Sequence, residues 1–204
     1  MASETLEKEN GADEIGRGRR LKEHTHASHE RLDQAIMRRK PFANRERFGL
    51  FVTTQHVFHR DIDALYRDEL LADLVPDLAD RRRLDLIEQD LADLGTAAPA
   101  LDAPAAFQAD APIDLPTALG WLYVAEGSNL GAAFLLKNAA KLGLSESFGA
   151  RHLAGAPKER GLHWRTFTAA LDAVPLTEAE ENRVVAGAEA AFRRVHALVK
   201  EMFS

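Results

Sequence analysis

With eight histidines and no cysteine in the chain, metal ligation and proton exchange near neutral pH fall to histidine, with carboxylates in support. The missing cysteine removes disulfides, thiolate nucleophiles, zinc–thiolate sites and iron–sulfur ligation together. Three histidines, His24, His26 and His29, crowd one stretch, and helical phase decides which turns inward. Leu21, Thr25, Leu32 and Ile36 form an apolar stripe. At about 100° per residue, His29 falls within about 50° of the stripe's centre and His26 well outside it. His29 is therefore expected to point inward, as a metal ligand or as a core histidine bonded to a neighbour. A di-iron carboxylate bundle would need Glu-x-x-His motifs on two helices. Glu23-x-x-His26 is the one present, and its histidine faces away.

Two further groups could do chemistry. Gln55 and His59 stand at i,i+4 on or beside a second apolar stripe (Phe48, Phe51, Phe58, Ile62), so they share a helix face. Buried there, they need hydrogen-bond partners or ordered water; at the edge of the core, they reach solvent. In the run Arg81-Arg82-Arg83, Arg83 lies nearest the apolar side of the helix that follows and is the arginine expected to enter a polar cavity. The other group is Gly127-Ser128-Asn129-Leu130-Gly131, set inside an apolar helical run. Two glycines there cost about 1 kcal/mol each relative to alanine. They mark either close packing of a neighbouring helix or the approach of a flat ligand to bare backbone.

The elements that must carry these residues are all helical. Alanine, leucine, glutamate and arginine dominate, and β-branched residues never alternate, so an all-α single domain is expected. Residues 1–14 read as a disordered polar tail and 15–204 as the folded domain. Helices are expected from Gly18 to Met37, from an Asn44 cap to about Leu74 with a bend, and from the Arg81-Arg82-Arg83 run, which falls in its first turn or two, to a stop at Gly95. After a loop over 95–116, an Asp114 cap and Pro116 open a central helix that stops at Gly143. A short helix over 161–174 and a last helix opened by a Thr177/Glu180 capping box complete the bundle. The net charge of -6 disfavours a nucleic-acid partner. Without a long apolar run or a signal-peptide core, membrane insertion is not expected, and a cytoplasmic monomer is.

An inward histidine on the first helix, a glycine-bearing helix opposite and a polar Gln/His pair from a third element make a sandwich for a flat, iron-bearing ligand. Two stretches add a family resemblance. Lys22-Glu23-His24-Thr25-His26-Ala27-Ser28-His29-Glu30-Arg31-Leu32-Asp33 and Tyr123-Val124-Ala125-Glu126-Gly127-Ser128-Asn129-Leu130-Gly131-Ala132-Ala133-Phe134 together resemble the bacterial haem oxygenases. The resemblance spans about Arg17 to Phe203.

The resemblance implies a helical domain with haem, both substrate and cofactor, between a proximal helix and a glycine-kinked distal one. It implies that His29 is the proximal iron ligand and that Gly127 and Gly131 bring distal backbone to the haem. Ser128 stands where animal relatives carry an aspartate, so distal water must be held by other groups. Gln55, His59 and Arg83 resemble the distal polar set. Lys22 and Tyr123 resemble residues that hold the propionates, although Lys22 also reads as a solvated lysine. Trp164 and Phe192 line the macrocycle or the distal wall, or are core packing. The implied reaction opens haem to biliverdin, carbon monoxide and ferrous iron. Electrons come from an external reductase or ferredoxin, docking on a basic face that includes Arg17, Arg19 and Arg20. A haem-shuttling protein is the alternative. A thiaminase-like relative would need the cysteine nucleophile this chain lacks.

Overall fold

The computed structural model describes residues 16–100, 103–109, 111–154 and 160–204. The expected tail over 1–14 lies outside them. Seven α-helices follow in order among the described residues: α1 (Arg17–Arg38), α2 (Arg45–Asp61), α3 (Glu69–Leu74), α4 (Leu84–Asp93), α5 (Leu115–Ala140), α6 (Arg160–Ala173) and α7 (Glu178–Met202). Local chemistry sets the boundaries. The Asn44 side chain accepts from the Arg47 amide at 2.8 Å to open α2, and Asp114 accepts from the Thr117 amide at 3.1 Å to open α5. Thr177 and Glu180 form the capping box of α7. Gly143, at φ +73°, ends the turn after α5 in a conformation that favours glycine.

The second helix is shorter than expected. Ile62 leaves the helical region, a 3-10 turn covers Asp63–Arg67, and Asp68 caps α3 by accepting from the Leu71 amide at 3.0 Å. At this helix end the buried carboxylate of Asp61 accepts from Arg194 of α7 at 2.7 Å and from Arg60 at 3.0 Å. The helix after the arginine run begins only at Leu84, so Arg83 is its cap rather than part of its first turn.

α7 is the axis of the bundle. α1 lies alongside it in the same sense: Arg17 pairs with Glu181, Ser28 donates to Glu189 at 2.7 Å, and Arg39 donates to the Phe203 carbonyl at 3.2 Å. Arg17 therefore does not belong to a basic docking face. It is buried, and its guanidinium also donates to the Leu171 and Val174 carbonyls at the end of α6. Arg19 pairs with Glu23, and Arg20 reaches Asn182, both exposed.

α5 meets α7 through glycines. A methyl on Gly120 would run into the Val184 carbonyl and come within 2.6 Å of the Ala188 nitrogen; one on Gly187 would lie 2.6 Å from the Thr117 carbonyl oxygen. Asp114 pairs with Arg183 one end of this crossing earlier, so α5 and α7 also run in the same sense. The packing glycine of α5 is thus Gly120. Gly131 has nothing within 4 Å of where its Cβ would be, and Gly127 has only the Trp164 ring at 3.6 Å.

A helix that is apolar on every side should be covered on every side. α5 meets that condition only from Pro116 to Glu126, where nearly every residue is buried. Beyond Gly127 the chain stays helical, but Leu130 is 50% and Phe134 60% exposed. Among the described residues no helix is long and apolar enough to cross a membrane, so these side chains are not lipid-facing parts of a span.

Candidate active site

The Thr25 hydroxyl of α1 lies beside the Tyr123 phenol of α5, which burial pushes above its ordinary pKa and Thr25 draws back. From that contact the two helices run on in the same sense. One turn further along α1 is His29; one turn further along α5 is Gly127. Gly127, Leu130, Gly131 and Phe134 share a helix face by their spacing, and this is the face left uncovered.

His29 is not a core residue. The buried positions of α1 are Arg17, Leu21, Thr25, Ser28 and Leu32, and the His29 side chain is 61% exposed. The expectation that it points into the packed interior fails because it sits on the flank of the stripe. Its ring meets Phe192 of α7 edge-on, with centroids 6.0 Å apart. Its Nδ1 lies 3.4 Å from Asp33 Oδ2, which leaves Nε2 without a partner among the described residues. A carboxylate on one imidazole nitrogen commonly orients a metal-ligating histidine. Lys22, two turns earlier on α1, is exposed; Phe192 is buried.

Beside this face, bounded by the same Trp164 ring that Gly127 meets at 3.6 Å, a cavity of about 160 Å³ is lined by Arg81, Arg83, Glu126, Asn129, His152 and Trp164, among others. Arg83 was the arginine of its run expected to enter a polar cavity, and Trp164 was expected at the macrocycle, the distal wall or the core. Arg81, not singled out from the run, is buried to 4% exposure. Its NH1 donates to Glu126 Oε2 at 3.1 Å. Trp164 stacks on Phe167 and meets Tyr123 at a tilt, with centroids 5.8 and 5.5 Å away. Gln55 is half-buried and outside the cavity lining. His59 also lies outside the lining but is buried next to it, where Arg83, His152 and His56 all act on its charge. The Ser128 hydroxyl donates to the Ala125 carbonyl at 2.6 Å, so its proton is committed to its own helix.

The electrostatics keep the histidines here neutral. Burial pushes His59 well below its ordinary value, and the Arg83 guanidinium pushes the same way. Burial also lowers His152, against the opposing pull of Asp90. Asp90 is fully buried, yet hydrogen bonds from His152 and Arg151 outweigh burial and hold its carboxyl below the ordinary range. An ionised Asp90 makes His152 Nδ1 the donor of their 2.7 Å bond. His152 Nε2 is then a buried lone pair with no partner among the described residues. His152 was missed because it lies in the irregular stretch after α5, where no periodicity points to a face. Glu126 did leave a signal, as the one carboxylate of an otherwise apolar helix.

The family model for Heme oxygenase matches residues 18–201. The chain belongs to the haem oxygenase family. It is 45% identical to Heme oxygenase PigA of Pseudomonas aeruginosa over 188 residues, covering 92% of this chain and 93% of that protein. The fold is also that of the NO- and CO-bound Heme Oxygenase from Neisseria meningitidis, at a TM-score of 0.85 and 40% identity, covering 93% of this chain and 92% of that one. Heme Oxygenase from Leptospira interrogans, at 16% identity, shares the fold with a TM-score of 0.73 over 92% of this chain and all of that one. As a haem oxygenase the chain is an enzyme of haem degradation, and its residues fit the substrate. The apolar face of α5 from Gly127 to Phe134 is uncovered, and His29 on α1 offers an imidazole nitrogen with no partner among the described residues.

Proposed function

We propose that this chain opens haem oxidatively to biliverdin, with release of carbon monoxide and ferrous iron. O2 is the oxidant, and electrons come from an external reductase or ferredoxin. The observation that carries the reading is the uncovered face Gly127–Leu130–Gly131–Phe134, next to a cavity lined by Arg83, Asn129 and His152.

Haem supplies the iron at which O2 is activated. The protein's part is position and protons. His29 holds the iron through Nε2, with Asp33 orienting the ring. Lys22 and Tyr123 hold the propionates, and Phe192 and Trp164 provide apolar walls. Gly127 and Gly131 present backbone with no side chain, so they would let haem approach α5 closely. The Ser128 proton is spent on Ala125, so water on this side is held by Gln55, His59, Arg83 and His152. The two histidines are neutral and Arg83 is a donor that does not give up its proton. Protons therefore arrive through water rather than from a strong acid in contact, a setting that favours oxygenation of a ring carbon. The catalytic domain spans 15–204.

The test is ferric haem with an electron donor in air. Loss of the Soret band with appearance of bile pigment and carbon monoxide supports the reading. A Soret band that persists, with neither product, makes the protein a haem carrier instead.

A further inference from the structure

One charged group near the site has no role in the account above. Glu126 is 3% exposed in the apolar body of α5, directly before Gly127. Its Oε1 accepts from the Tyr66 hydroxyl at 2.9 Å, and its Oε2 from Arg81 NH1 at 3.1 Å. Arg81 in turn donates through Nε to the Pro76 carbonyl at 3.1 Å and through NH1 and NH2 to the His163 carbonyl at 3.3 and 3.4 Å. Its guanidinium lies over the Phe167 ring, 5.9 Å from the centroid. All three side chains of the Glu126–Arg81–Tyr66 cluster are nearly inaccessible.

Stability alone is a poor reason for this cluster. A buried ion pair often contributes no more than well-packed apolar residues of the same volume. Its location supplies a better one. Glu126 belongs to α5 at the start of the glycine segment. Arg81 sits two residues before Arg83. His163 precedes Trp164, whose ring is what Gly127 faces at 3.6 Å. One carboxylate–guanidinium pair thus joins the three walls of the cavity. It also joins their charges, because Glu126 acts on both Arg83 and Tyr66.

We propose that Glu126 and Arg81 are positioning residues for the oxygen-side cavity, fixing Arg83 and Trp164 against the glycine segment and setting the cavity's charge balance. The proposal rests on the reading that this cavity lies on the oxygen side of bound haem. Removing the carboxylate leaves Arg81 and Arg83 uncompensated, and a more positive cavity stabilises hydroxide over water. Removing the guanidinium does the reverse.

The experiment measures the acid–alkaline transition of the ferric haem complex by visible absorbance, together with haem affinity and turnover. It uses the full chain and Glu126→Gln, Arg81→Met and the double variant. The expected shifts have opposite signs: downward in pH for E126Q and upward for R81M, each on the order of one unit for a charge about 10 Å away at an effective dielectric near 20. Haem affinity stays within about twofold while turnover falls at least about tenfold, on the order of 1.4 kcal/mol. Should either single variant fail to fold, the double variant carries the test, since a neutral replacement of a buried pair is commonly tolerated. Its transition returns close to that of the parent and its turnover stays low. Shifts of the same sign, no shift, or parental turnover in the double variant overturn the proposal. A parent chain that gives no haem spectrum, or one whose spectrum survives His29→Ala, overturns the underlying site reading instead.

Discussion

The Nδ1 of His152 lies 2.7 Å from Oδ2 of Asp90, and both side chains are buried. The same carboxylate accepts from the backbone amides of Arg151 and His152, each at 3.0 Å. Asp90 of α4 therefore fixes both the ring and the tautomer of a histidine carried by an irregular segment. The result is a neutral imidazole that turns a lone pair toward the cavity.

Acid should unfold this protein from the histidines first. His59 and His152 titrate lower in the folded chain than the ordinary value of about 6.5, chiefly through burial. Below that value the unfolded chain takes up protons that the folded one refuses. Stability is thus on its plateau above about pH 6.5 and declines as pH falls toward the folded values. Asp90, whose folded value is depressed, adds a second loss at lower pH, below its ordinary carboxylate range. Calorimetry from pH 7.5 down to 5 should show Tm falling, by roughly 2–4 °C for each kcal/mol lost. A Tm that is flat or rises over this window contradicts the assignment of neutral buried histidines.

Two glycines on one helix should respond oppositely to alanine. Gly131→Ala meets open space, so the ligand-free protein should gain up to about 1 kcal/mol from helix propensity, while haem turnover falls because the methyl intrudes on the ligand's side. Gly120→Ala meets the backbone of α7 and should lose several kcal/mol, on the order of 3. Urea denaturation of both ligand-free variants separates the cases. A Gly131→Ala variant that unfolds like Gly120→Ala would make Gly131 a packing residue.

Phe134, 60% exposed, should be nearly silent in the ligand-free state. Phe134→Ser should leave stability within about 0.5 kcal/mol of the parent but weaken haem binding about tenfold or more, from the lost apolar cover. Titration followed at the Soret band measures this. Unchanged affinity would mean that haem does not reach this part of α5.

Arg17→Ala should cost roughly 2 kcal/mol in urea unfolding, because it removes a buried guanidinium that pairs with the half-buried Glu181 and satisfies the Leu171 and Val174 carbonyls at the end of α6. A loss under about 0.5 kcal/mol would mean that Arg17 belongs to the solvated surface.

Much of the fold was legible because its boundaries are chemical: Asn44, Asp114, Thr177 with Glu180, and Gly143 all cap or stop as their side chains predict. A bend in the second helix was expected, but its place after Asp61 was not, and the buried Asp61–Arg194 pair there joins residues 133 apart in sequence. Arg17 was misread because its partners belong to α6 and α7. Around the cavity, Gly127 and Gly131 stood out by residue type and Arg83 by phase, whereas Trp164 was singled out only by the family resemblance. His29 was expected to point inward, as a metal ligand or a core histidine, and is instead exposed, because periodicity cannot tell a buried position from one that borders a cleft. Gly120 passed unnoticed, since a glycine two turns from another carries no sign of which one touches a neighbouring helix.

The central claim is that haem lies between His29 and the uncovered face of α5. The most direct measurement is an amide NMR titration of the full chain with gallium protoporphyrin, a closed-shell, redox-inert haem analogue. The account predicts large ring-current shifts at the Gly127, Leu130 and Gly131 amides and at the residues around His29, with the His29 ring nitrogen moving on coordination. Shifts confined to other surfaces, with residues 127–134 and His29 unmoved, would contradict it.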